Sequence, residues 1–88
     1  MIERAVEIVN QLGLHARAAA KLVHQAARFQ SQVSLVRDGE EVDAKSILGV
    51  LMLAAPQGTH LVLRCSGPDE GDAADAIAQL IADRFQAE

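Results

Sequence analysis

Two side chains that could do chemistry, His15 and Arg17, lie two residues apart where a loop meets a helix. Gly13 can adopt backbone angles that other residues avoid, and a helical periodicity begins directly after the histidine. We therefore expect His15 at the N-cap or in the first turn. The backbone N–H groups of Ala16, Arg17 and Ala18 would then have no carbonyl partner within the helix. They can bind an anion at the positive end of the helix dipole.

A phosphoryl group is an anion that suits this arrangement. The guanidinium of Arg17 can donate paired hydrogen bonds to phosphate oxygens and stays protonated at working pH. A neutral imidazole is a nucleophile near neutral pH, and the phosphoramidate that it forms can transfer the group onward. His15 is therefore a candidate phosphoryl acceptor. A second interpretation stays open, because His-x-Arg is common by chance and a histidine at a helix start can be only a polar residue.

Length and charge limit the other functions that the chain could have. The 88 residues, 1–88, predict a single domain with a small core, so we expect function on the surface. The formal net charge is −4, and Phe29 and Phe85 are the two aromatic residues. A nucleic-acid partner is not expected, because such binding normally requires a basic stripe or an aromatic platform.

Cysteine and hydropathy patterns predict a cytoplasmic protein without a membrane span. Cys65, the single cysteine, has no internal disulfide partner, and residues 1–10 lack the apolar stretch of a signal peptide. The longest apolar run, residues 47–55, is far shorter than the roughly 20 residues of a spanning helix. The three histidines and Cys65 show no metal-ligand spacing, so neither a metal nor another cofactor is expected.

Strand-like and helix-like patterns alternate along the chain and predict the elements that must position His15. Asp38-Gly39 between two strand-like runs predicts a hairpin. The predicted elements, in chain order, are strand 2–9, helix 16–29, strands 33–37 and 41–44, a short helix from Ser46 that ends before Pro56, strand 60–66, and a helix from Pro68 whose apolar face extends to Phe85. The stripe of the first helix predicted to face the sheet is Ala16, Ala19, Ala20, Val23, Ala26 and Ala27. The order βαββαβα predicts an α+β open-faced sandwich, a four-stranded antiparallel sheet with three helices on one face.

Two segments resemble a known family. Residues 13–17, Gly-Leu-His-Ala-Arg, resemble the active-site segment of HPr, the histidine-containing phosphocarrier protein of the bacterial phosphoenolpyruvate-dependent phosphotransferase system. Residues 45–50, Lys-Ser-Ile-Leu-Gly-Val, resemble its second motif, and the spacing of the motifs agrees across almost the whole chain. The family usually has proline where this chain has Ala18, which leaves the sugar and nitrogen-related branches open.

The resemblance implies a carrier rather than a stand-alone enzyme. His15 would accept a phosphoryl group from enzyme I on Nδ1 and pass it to a downstream enzyme II-type protein. Ser46, which we expect to cap the short helix, would be the target of a serine kinase/phosphorylase in some bacteria. We expect a monomer whose partners dock on Leu14, Ala20, Lys21, His24, Ile47, Leu48, Leu51 and Met52.

Two functions without phosphoryl transfer remain as alternatives. In a small α+β adaptor or ligand-sensing domain, the exposed short helix would recruit a partner and His15 would do no chemistry. A metal chaperone would bind copper or zinc tightly.

Overall fold

The computed structural model describes residues 1–87 and confirms the predicted order of strands and main helices. The elements are β1 (Ile2–Glu7), α1 (Ala16–Ala26), β2 (Gln32–Arg37), β3 (Glu40–Asp43), α2 (Ile47–Met52), β4 (His60–Ser66), α3 (Glu70–Ala82) and a short turn, α4 (Arg84–Ala87). The strands form one antiparallel sheet in the order β1-β4-β2-β3. The predicted open-faced sandwich is therefore confirmed.

The central strand β4 alternates as its sequence predicts. Leu61, Leu63 and Cys65 are buried, and Leu63 lies opposite Leu35 of β2 in the register. Asp38 and Gly39 connect β2 to β3 with φ of +51° and +83°. Two successive positive φ values are typical of the type I′ hairpin turn, whose twist matches that of the strands. The predicted hairpin is thus confirmed.

The helices pack their apolar faces on one side of the sheet. α3 contacts β1 and β4, and α1 contacts α2 and α3. The largest buried side chains of this core include Ile8, Leu22, Leu35, Ile77 and Phe85. No helix within residues 1–87 is both long enough and apolar enough to span a membrane.

The first helix differs from the prediction in its end and in its buried face. It ends at Ala26 rather than Phe29. Its buried residues are Ala18, Ala19, Leu22 and Ala26, whereas Ala16, Ala20 and Ala27 of the predicted stripe are exposed. A count of alanines gave the wrong phase, because Leu22 has far more apolar surface to bury than any alanine and sets the face that packs.

The ends of other elements also move. β2 begins at residue 32 rather than 33, and β3 covers residues 40–43 rather than 41–44. β1 ends at Glu7, two residues before the predicted end. α3 ends at Ala82, so Phe85 is buried as predicted but belongs to the turn that follows. That turn is left-handed, because Arg84, Phe85 and Gln86 all have positive φ.

Candidate functional site

The loop before α1 packs tightly on the segment that follows α2, here termed the α2–β4 connection (residues 53–59). Gly13 has φ +70°, and a Cβ atom there would lie 2.7 Å from the carbonyl oxygen of Ala55. The buried Asn10 donates a side-chain hydrogen bond to the carbonyl of Gly13 at 2.6 Å. The N–H of Leu14 donates to the carbonyl of Ala55 at 2.8 Å. The backbone immediately before His15 is therefore fixed from both sides.

His15 is the N-cap residue of α1, within the range that the sequence predicts. Its backbone is extended, with φ −77° and ψ 177°, and its carbonyl accepts the first helical hydrogen bond from Ala19 at 2.8 Å. The amides of Ala16, Arg17 and Ala18 precede that bond, so the helix supplies no carbonyl to them. These three N–H groups lie at the positive end of the helix dipole, next to the imidazole.

One ring nitrogen of His15 is closed to solvent. The residue is partly exposed, but its Nε2 atom is shielded from solvent. The side chain makes no capping hydrogen bond to α1. A group that approaches from solvent is excluded from Nε2, which leaves Nδ1 as the candidate nucleophile.

The residues that follow His15 divide between solvent and core. Ala16 and Arg17 are exposed, so the guanidinium lies on the solvent side of the first turn. Ala18 is buried at 1% exposure. An alanine at this position fits the core and favours the helix, since alanine has the highest intrinsic helix propensity. The departure from the family's usual proline therefore leaves the first turn of α1 intact.

The short helix α2 presents apolar side chains to solvent, as the sequence predicts. Leu48 and Met52 are 70% and 73% exposed, and Val50 anchors the helix in the core. We term the exposed group the α2 surface; it comprises Ile47, Leu48, Leu51 and Met52. α1 packs directly against α2, so this surface lies beside the helix that carries His15.

The predicted docking residues outside α2 have mixed positions. Ala20 and His24 are exposed on α1. Lys21 is half-buried and donates from Nζ to the carbonyl of Phe85 at 2.8 Å. The prediction that partners dock on Leu14 is wrong, because this residue is only 5% exposed and belongs to the core. It follows a tightly packed glycine that turns its side chain inward, so it supports the loop and offers little surface to a partner.

Sequence reasoning missed one exposed apolar residue near the site. Leu12 lies in the loop before His15 and is 68% exposed. An isolated leucine between polar residues and Gly13 could have been recognised as a loop-tip side chain. Its exposure adds apolar surface to the loop that precedes His15.

Ser46 caps α2 as predicted. It is the N-cap residue, with φ −111° and ψ 117°, and its Oγ accepts a hydrogen bond from the N–H of Gly49 at 3.2 Å. The preceding Lys45 donates from Nζ to the carbonyl of Phe29 at 2.8 Å, near the end of α1. The second motif therefore joins the start of α2 to the loop that follows α1.

Comparison with known proteins places this site in a family. Residues 2–83 match the family model described as the PTS HPr component phosphorylation site. Phosphocarrier protein HPr from Cupriavidus necator is 55% identical over 85 residues, which cover 97% of this chain and 96% of that protein. The crystal structure of HPr from Thermoanaerobacter tengcongensis has a TM-score of 0.96 at 42% identity and covers 100% of this chain and 99% of its own. A crystal structure of an HPr dimer from the same organism has a TM-score of 0.78, also at 42% identity, and covers 97% of this chain and 98% of its own.

The fold and the site define a small carrier domain, which presents a partly exposed histidine at a helix N-terminus. With the family match and the near-complete coverage of its relatives, the chain belongs to the HPr family, the phosphocarrier proteins of the phosphotransferase system.

Proposed function

We propose that His15 accepts the phosphoryl group that this carrier transports and that Nδ1 is the acceptor atom. The observation that carries the proposal is the position of a partly exposed imidazole at the N-cap of α1, with Nε2 shielded. The amides of Ala16, Arg17 and Ala18 supply hydrogen-bond donors to phosphoryl oxygens. The exposed Arg17 supplies positive charge on the same turn.

The proposed transfer is reversible and conserves both charge and atoms. The Nδ1 lone pair attacks the phosphorus atom, a P–N bond forms, and the bond between phosphorus and the donor protein breaks. The electron pair of the broken bond stays on the leaving atom of the donor protein, which takes up a proton as the His15 imidazolium releases one, so the ring of phosphohistidine becomes neutral. The second transfer repeats these steps with the lone pair of the downstream acceptor. This chain contributes position and electrostatic stabilisation, which are the main catalytic effects in phosphoryl transfer.

We propose enzyme I as the donor and an enzyme II-type protein as the acceptor. Both must bring a phosphorus atom to the N-terminus of α1, so both must contact the surface around it. The α2 surface lies beside α1 and groups four exposed apolar side chains, an arrangement that marks interaction sites. Exposed His24 and half-buried Lys21 add polar and basic groups on α1 itself. We propose that partners dock here while the carrier is a monomer, because a second copy on this surface would compete with them.

We propose that Ser46 is a regulatory phosphorylation site. Its hydroxyl lies at the N-terminus of α2, where added negative charge favours the helix. The same charge would lie next to Ile47 and Leu48 on the α2 surface. Phosphorylation would therefore inhibit docking and leave the fold intact.

The direct experiment incubates the protein with enzyme I and phosphoenolpyruvate and follows intact mass. We expect one acid-labile phosphate on the native chain and on His24→Ala, and none on His15→Ala. An absent mass gain on the native chain would favour the adaptor alternative. An equal gain on His15→Ala would transfer the role to another residue.

A further inference from the structure

The α2–β4 connection begins in a backbone conformation that its residue does not favour. Ala54 has φ +48°, in the left-handed region that suits glycine rather than alanine. Its N–H donates to the carbonyl of Leu51 at 3.1 Å, at the end of α2. A residue in this region keeps its conformation only when the surrounding structure stabilises it.

Arg37, the last residue of β2, supplies such stabilisation. Its Nη1 atom donates to the carbonyl oxygens of Leu53 and Ala54 at 2.7 Å and 3.3 Å. These two carbonyls flank the strained residue at the C-terminal end of α2, where a cation is electrostatically favourable. Asp38 lies 3.8 Å from Nε and is 93% exposed, so solvent screens its competition for the guanidinium.

The residue after Ala54 is hydrogen-bonded to the loop that precedes His15. Ala55 is 3% exposed, and its carbonyl accepts the N–H of Leu14 at 2.8 Å. Leu14 is joined to His15 by a peptide bond. The far end of the connection is attached to the residue that follows β1, because the N–H of Gly58 donates to the carbonyl of Ile8 at 2.7 Å. Arg37 therefore acts at the end of the connection that supports the histidine.

We propose that Arg37 is a positioning residue for phosphoryl transfer. By stabilising the left-handed Ala54, it sets the position of the Ala55 carbonyl, and this carbonyl sets Leu14 and hence His15. The effect on transfer rests on the proposed function of His15, whereas the effect on loop position does not. Geometry is the main contribution of this chain to the reaction, and a displacement of about 1 Å can reduce a rate by about 100-fold.

Three variants test this proposal. Arg37→Ala removes both hydrogen bonds to the connection. In Arg37→Ala/Ala54→Gly, glycine adopts the left-handed conformation without strain, so the connection no longer requires the guanidinium. Arg64→Ala is the matched control. The side chains of Arg37 and Arg64 are both 31% exposed, but Arg64 forms ion pairs with Glu3 and Glu41, on the face of the sheet away from the helices.

The measurements are made well below each melting temperature, so that every variant is folded. Two-dimensional NMR reports the Leu14 amide and the His15 imidazole signals. For Arg37→Ala we expect both to shift, with kcat for phosphoryl acceptance from enzyme I reduced about tenfold and KM changed less. The double variant should recover most of the native shifts and rate. Arg64→Ala should leave the His15 signals and kcat at native values even if its melting temperature falls.

Two results would overturn the proposal. One is an Arg37→Ala variant with native Leu14 and His15 signals and a native kcat, because Arg37 would then stabilise the fold without positioning the site. The other is an Arg64→Ala variant that moves these signals equally. If native protein takes up no phosphate at all, the proposed function of His15 fails. The NMR comparison still decides whether Arg37 positions the loop.

Discussion

Replacing Gly13 by alanine tests whether close packing on the α2–β4 connection fixes the loop before His15. Gly13 has φ +70°, and an added Cβ would lie 2.7 Å from the carbonyl oxygen of Ala55 and 2.9 Å from Cα of Pro56. The chain contains a matched control in Gly39. This residue has φ +83° in the β2–β3 turn, and nothing lies within 4 Å of its added Cβ. The two substitutions share the backbone strain, and only Gly13→Ala adds the collision.

The expected loss of unfolding free energy follows from these distances. A non-glycine residue in the left-handed region costs about 1–2 kcal/mol, and a less flexible unfolded chain offsets about 0.4–1 kcal/mol. Gly39→Ala should therefore cost about 1 kcal/mol. At Gly13 the backbone of Ala55 must also shift, and overpacking costs about 1–3 kcal/mol. Weakening the hydrogen bond from Leu14 to Ala55 adds about 0.5–1.5 kcal/mol. The total for Gly13→Ala is about 3–5 kcal/mol.

Urea unfolding followed by circular dichroism measures both variants under one condition. We expect Gly13→Ala to be less stable than Gly39→Ala by about 2–4 kcal/mol, the sum of the collision and hydrogen-bond costs. At about 4–8 °C per kcal/mol in a domain of this size, their melting temperatures should differ by roughly 10 °C or more. Phosphoryl acceptance should fall in Gly13→Ala only. Equal stability of the two variants would refute the argument that close packing fixes this loop.

Three further predictions concern other parts of the structure. Asp69 accepts hydrogen bonds from the hydroxyl and N–H of Ser31, and these bonds lower the pKa of its carboxyl, the hydroxyl most. Because the pKa is lower in the folded state, the ionised carboxylate stabilises the fold above the unfolded pKa of about 3.9. This stabilisation is lost as the pH falls through the folded pKa. Urea unfolding should show Asp69→Asn less stable than native at pH 7, and the difference should become smaller as the pH is lowered toward 2. Leu48→Asp should change stability by less than about 0.5 kcal/mol but weaken binding of enzyme I about tenfold or more in calorimetry. Val62→Asp, on the other face of the sheet, is the control and should not weaken this binding. Ser46→Ala should lose the cap of α2 and about 1 kcal/mol of stability in thermal unfolding. The rate of His15 phosphorylation should stay native, and a slower rate would contradict the view that the unmodified serine only caps the helix.

Local patterns in the sequence predict most of the fold and the centre of the site. Alternation in residues 60–66 identified β4, and Asp38-Gly39 identified the hairpin, because each signal depends on neighbours in the chain. The N-cap position of His15 follows in the same way from a glycine loop that precedes a helical period. The phase of α1 was wrong because small alanines on several faces leave the buried side ambiguous until Leu22 packs.

The long-range side-chain contacts could not be predicted, because they join residues far apart in sequence. Arg37 contacts the connection 16 residues later, and Asp69 contacts Ser31 across 38 residues. A single sequence carries no signal for either pairing. Asp69 is the N-cap residue of α3, but its side chain makes no capping hydrogen bond there and instead accepts from the N–H groups of Gln30 and Ser31 in the loop after α1. The inward turn of Leu14 likewise depends on a carbonyl in the α2–β4 connection.

The most direct test of the central claim identifies the atom that carries the phosphate. Protein labelled with ¹⁵N in its histidine rings is phosphorylated by enzyme I and phosphoenolpyruvate, and NMR detects the phosphorus–nitrogen coupling. Because Nε2 of His15 is shielded and the ring lies at the N-cap of α1, we predict one phosphate, on Nδ1 of His15. Phosphate on Nε2 of this ring, or on His24 or His60, would contradict the account.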